Sequence, residues 1–94
     1  GSGYVFEIAR SYVAAAEALG FDTATARTLV LDTMAGAIEM ARQSDQSLET
    51  LRKDVTSKNG TTQAGLEALM QDGQLDTLLE NTTKAAYARA IELR

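Results

Sequence analysis

The 94-residue chain contains no cysteine, no histidine, no tryptophan and no proline. Without cysteine it has no disulfide, no thiol nucleophile and no cysteine-ligated metal site. Without histidine it lacks the commonest general base and metal ligand. Aromatic residues make up 5% of the chain, which leaves little for stacking on nucleic-acid bases. Nine basic residues face thirteen acidic ones, for a net charge of −4. The charges are scattered, and no basic stripe offers itself to nucleic acid or to an anionic membrane surface. No apolar run approaches the roughly 20 residues that span a bilayer. No secretory pattern opens the chain, which is read as cytoplasmic.

What is present is helix-forming and apolar at helical spacing. The hydrophobic fraction is 45%, ordinary for one globular domain. The absence of proline suits long helices, and sixteen alanines allow helix backbones to approach closely. Val5, Ile8, Ala9, Tyr12, Val13, Ala16 and Leu19 form the stripe of a first amphipathic helix over residues 4–19. Gly20 reads as its stop, with Phe21 behind it. Asp22 or Thr23 is expected to cap a second helix. Its stripe runs Ala26, Leu29, Val30, Thr33, Met34, Ala37, Ile38 and Ala41, widened by Leu31 and Ala35. Gly36 in its middle costs about 1 kcal/mol against alanine, and a close helix contact is expected to compensate. Residues 43–46 form a connection, and Asp45 or Ser47 opens a short third helix carrying Leu48, Leu51 and Val55. A fourth begins near Thr61 or Thr62 and ends at Asp72-Gly73. A fifth starts near Leu75 or Asp76 and runs to the terminus. No stretch alternates with period two, so the fold class is all-α with about five helices. The second and fifth helices carry more apolar surface than a 94-residue monomer readily covers.

The segment most suggestive of chemistry is Val55-Thr56-Ser57-Lys58-Asn59-Gly60-Thr61-Thr62. One helix ends there, a polar turn follows, and two hydroxyl residues open the next helix. A helix opening presents unpaired N–H groups and the positive end of the dipole. With Ser57, Thr61 and Thr62 beside it, this is the chemistry of a small carboxylate or phosphate site. The competing reading is a plain connection, with Asn59-Gly60 left-handed and Thr61 or Thr62 as an N-cap. The carboxylates show no metal-ligand or dyad spacing and read as a solvated helix face. The tyrosines and methionines read as packing residues, and Lys58 either attracts an anion or is a surface lysine.

The segment Leu51 to Leu69 resembles the C-terminal signature of pyrroline-5-carboxylate reductase, through Val55, Ser57, Gly60, Thr61, Thr62, Gly65 and Leu66. The likeness extends to Tyr4-Val5-Phe6, Ala14-Ala15-Ala16 and Ala18-Leu19-Gly20. It continues in Ala26, Thr33, Gly36-Ala37 and Met40-Ala41, then in Gly73, Leu79, Ala85-Ala86 and Arg89. Lys58 and Asn59 replace the usual Pro and Gly. Gly1-Ser2-Gly3 runs straight into Tyr4 without the usual Pro-Ala pair. Residues 1–3 are either a cloning scar or a lead-in, and residues 4–94 are the helical domain.

The resemblance implies a fold of the 6-phosphogluconate dehydrogenase C-terminal type, in which two copies interlock as a homodimer with the substrate pocket beside the interface. The family reduces the C=N bond of pyrroline-5-carboxylate to proline with NADPH. No strand followed by Gly-x-Gly-x-x-Gly is found in this chain. It is therefore expected to be the dimerisation domain without the nucleotide-binding domain, to bind no cofactor or metal, and to be inactive alone. Carried over residue by residue, the backbone N–H groups of Thr61 and Thr62 would receive the substrate carboxylate. The Thr62 hydroxyl would meet the ring nitrogen, Ser57 would add a polar contact, and Val55 would line the pocket. The alternative is an excised or engineered helical homodimer with a structural role and no retained binding.

Overall fold

The computed structural model describes Gly1–Arg94. Five α-helices follow one another without a strand: α1 (Ser2–Ala18), α2 (Thr23–Arg42), α3 (Leu48–Asp54), α4 (Thr61–Leu69) and α5 (Gln74–Leu93). A single 3-10 turn, Gln71–Gly73, separates α4 from α5. The all-α class and the stripes that predicted it hold. The chain divides into two compact units, Gly1–Leu48 and Glu49–Arg94.

In the first unit α1 begins at Ser2, so the opening glycine–serine–glycine is mostly helix, with Tyr4 N–H donating to the Gly1 carbonyl at 3.2 Å. Gly20 takes φ +109°, a left-handed conformation that a residue without Cβ adopts freely. The Leu19 and Gly20 N–H groups donate to Ala16 and Glu17 carbonyls at 3.1 and 2.9 Å, closing the helix end. Asp22 then caps α2, its carboxylate accepting from Thr25 N–H at 2.9 Å. Those two bonded ends turn the chain so that α1 and α2 pack together. Ala26 and Val30 are the buried residues, one helical turn apart, and Ala9, Val13, Ala16, Met34 and Ala41 are half-buried. Burying Val30 contributes on the order of 1.5–3 kcal/mol.

Gly36 departs from expectation. No other part of the chain comes within 4 Å of where its Cβ would stand. The close helix contact expected at this glycine is therefore not made within one chain.

The second unit contains α3, α4, the 3-10 turn and α5, and none of its residues is buried. The fourth helix ends earlier than expected, at Leu69. Asp72 and Gly73 follow with φ +55° and +64°, and α5 starts from that left-handed pair. Helix surfaces carry ion pairs at i, i+3 or i, i+4, such as Glu49–Lys53 at 3.1 Å and Glu80–Lys84 at 2.6 Å. Exposed pairs of this kind contribute little to stability.

Candidate functional site

All four residues singled out in the sequence, Val55, Ser57, Thr61 and Thr62, lie in the second unit along one eight-residue stretch. Helix α3 ends in two ways. Val55 N–H donates to the Leu51 carbonyl at 3.3 Å, and the Thr56 hydroxyl donates to the Arg52 carbonyl at 2.6 Å. Val55 stands 59% exposed just beyond the helix. Ser57 begins a turn that Gly60 closes, its N–H donating to the Ser57 carbonyl at 3.1 Å. Asn59 takes φ +61° at the third position, the arrangement of a type II turn. Asparagine tolerates that region better than most residues. The expectation that Asn59 and Gly60 would both be left-handed therefore holds for Asn59 only.

Gly60 is extended, with φ −90° and ψ −178°, and it is the N-cap of α4. This corrects the alternative that made Thr61 or Thr62 the cap, because both are already helical. Glycine serves here through close approach, since an added Cβ would lie 3.3 Å from the Ser57 Cβ and 3.3 Å from the Ser57 carbonyl oxygen. The first bond of α4 runs from Ala64 N–H to the Gly60 carbonyl at 3.2 Å. Ahead of it stand the N–H groups of Thr61, Thr62 and Gln63, which the helix itself cannot pair. No side chain caps them. Thr61 and Thr62 are exposed. Three N–H donors, a positive helix end and two exposed hydroxyl residues thus lie together at the opening of α4, the chemistry that suits an anion.

Sequence reasoning missed Gln63. Its side-chain oxygen accepts the Asn59 N–H, and its side-chain nitrogen donates to Glu67 at 3.5 Å. The signal was a glutamine at the third helical position, where side chains reach back over a helix start. No group of three or more acidic side chains is placed to hold a metal ion. No helix is long and apolar enough to cross a membrane.

The family model for pyrroline-5-carboxylate reductase dimerisation matches residues 1–93. The chain belongs to that family. It is 39% identical over 94 residues to pyrroline-5-carboxylate reductase 2 of Bacillus subtilis, covering all of this chain and 34% of the relative. It is 38% identical over 93 residues to the reductase of Staphylococcus saprophyticus, covering 99% of this chain and again 34% of the relative. Among solved structures, the pyrroline carboxylate reductase of Plasmodium falciparum, with NADP bound, superposes with a TM-score of 0.88 at 29% identity. That match covers 95% of this chain and 36% of the other. The chain thus spans about a third of the length of the relatives it matches.

Proposed function

We propose that this dimerisation domain supplies the carboxylate-binding part of a pyrroline-5-carboxylate reductase active site, and that it does so as a homodimer. The observation that carries the first half is the uncapped opening of α4 in a chain of this family. The backbone N–H groups of Thr61 and Thr62 receive the substrate carboxylate. The Thr62 hydroxyl meets the ring nitrogen, orienting the C=N bond. Ser57 adds a polar contact and Val55 bounds the apolar side of the ring. Replacing water by fixed donors orders the substrate before reaction, which is what such a domain contributes.

Unmatched apolar surface supports the homodimer. Leu29, Leu31, Ile38 and Met40 on α2 and Leu78, Tyr87, Ile91 and Leu93 on α5 all stand exposed. Gly36, open within the chain, leaves room for a helix of the second copy. The activity requires NADPH bound outside the residues described here, so the isolated chain is expected to turn over no substrate.

The test grafts residues 1–94 in place of the corresponding third of the Bacillus subtilis reductase and measures kinetics with melting. Thr62→Ala removes one hydroxyl and leaves the backbone donors. Losing such a bond costs about 1–3 kcal/mol, roughly a 5- to 150-fold loss of kcat/KM. Thr61→Ala is the control, with a small effect expected. A Thr62→Ala variant with unchanged kcat/KM contradicts the assignment.

A further inference from the structure

Residues 57–64 are tied together by three hydrogen bonds. The Gly60 N–H closes the turn on Ser57 at 3.1 Å, and the Ala64 N–H closes the first helical turn on Gly60 at 3.2 Å. The third bond joins the two: the Asn59 N–H donates to the side-chain oxygen of Gln63. Gly60 has no side chain to contribute, and α4 has no side-chain cap. Gln63 is therefore the side chain that links the turn to α4. It is half-buried while Thr61 and Thr62 are exposed, and its other end is held by Glu67 at 3.5 Å. The residue it grips is held at φ +61°, a conformation asparagine can leave for the commoner negative region once released. Rotation there re-aims the peptide plane leading into Gly60, and with it the approach to the Thr61 and Thr62 N–H groups.

We propose that Gln63 is a positioning residue for the carboxylate site: by holding the Asn59 N–H it fixes the turn against which the donors of Thr61 and Thr62 are aimed. Gln63 touches no substrate in this role. The role rests on the carboxylate reading given above, and the experiment separates the two.

The test uses the 94-residue chain labelled with nitrogen-15, as wild type, Gln63→Met and Gln63→Glu. Three quantities are read: amide exchange at Asn59, the Kd for L-proline from the Thr61 and Thr62 amide shifts, and Tm. Gln63→Met keeps the length and removes the acceptor. It should speed Asn59 exchange at least about tenfold and raise the L-proline Kd about tenfold, the size of effect one hydrogen bond carries. Its Tm should fall little, since the side chain is not in a core. Gln63→Glu keeps an acceptor oxygen and should restore slow exchange at Asn59. A merely structural glutamine would lower Tm without touching Asn59 exchange or Kd. If Thr61 and Thr62 respond to L-proline identically in wild type and Gln63→Met, the positioning role is overturned and the carboxylate reading stands. If neither amide responds in wild type, both are overturned. An Asn59 amide that exchanges at the free rate in wild type overturns the positioning role with no variant needed.

Discussion

Helices α2 and α4 open in opposite ways. The N-terminus of α2 is filled by its own chain, where the Asp22 carboxylate accepts from the Thr25 N–H at 2.9 Å and the Thr25 hydroxyl at 3.1 Å. The N-terminus of α4 has glycine at the cap and no side chain on its donors. The first helix belongs to the unit with the buried residues Ala26 and Val30, and the second to a unit with none. A capped opening satisfies its donors internally and stabilises the helix. An uncapped one leaves its donors open to water or to a ligand. Under the proposed carboxylate site, stability and binding fall to different helices.

The contrast breaks hardest at the buried seam. Val30→Asp places a charge at a position only 3% exposed. It should cost several kcal/mol and abolish cooperative folding, read as loss of the helical melting transition. Ile38→Glu sharpens a different side of it. Ile38 is 60% exposed in one chain, so a monomer would tolerate the change within about 0.5 kcal/mol. A homodimer covering this face should lose several kcal/mol. Wild-type Tm should also rise with protein concentration, because folding and association are then linked. A concentration-independent melt with a monomeric mass in sedimentation would contradict the dimer.

Moving the cap from one helix to the other probes the comparison itself. Gly60→Asp gives α4 the carboxylate that α2 has. The new charge sits against the substrate's own, a repulsion of about 1 kcal/mol at 4 Å even in water. The KM of the grafted reductase should rise at least about fivefold. The added Cβ also requires Ser57 to yield slightly, its Cβ being 3.3 Å away. A KM that does not change would mean that the α4 opening is not where the carboxylate binds.

The smallest effect concerns pH. The backbone bond from Thr25 holds the Asp22 carboxyl below its ordinary value, and the Thr25 hydroxyl adds to this. The folded helix therefore binds this proton less readily than the unfolded chain. The cap's contribution is complete above the ordinary Asp range, near about 3.9, and is lost as the pH falls through the lowered folded value. The Thr25 amide should titrate in that acidic window, and Asp22→Asn should remove the titration. Glu7, lowered by its bond to Arg10, and Glu49, lowered by its bond to Lys53, act in the same direction.

The first unit was more legible in sequence than the second. Gly20 and Asp22 carry their roles in residue type: glycine for a positive φ, and a short carboxylate for a helix start. The stripe through Ala26 and Val30 marked the buried face. The opening of α4 was harder to read, because threonine is itself a good cap. Only the backbone shows that Gly60 holds the cap position and leaves both threonines within the helix. Asp72-Gly73 marks the break between the last two helices in sequence, with the restart expected near Leu75 and found at Gln74; what sequence does not show is that α4 already ends at Leu69. Gln63 was overlooked because its partner is a backbone N–H four residues earlier, which depends on Asn59 adopting φ +61°. Periodicity marked the apolar stripes of α2 and α5, and many of their large side chains, Leu29, Ile38, Leu78 and Ile91 among them, stand exposed.

The two helix openings can be compared within a single spectrum. The nitrogen-15-labelled chain, titrated with the planar analogue pyrrole-2-carboxylate, reports on the α2 and α4 amides together. Saturable shifts at Thr61, Thr62 and Gln63, with Thr23, Ala24 and Thr25 unmoved, are the expected result. Equal movement at both openings, or none at Thr61 and Thr62, would contradict the assignment of carboxylate binding to the uncapped end of α4.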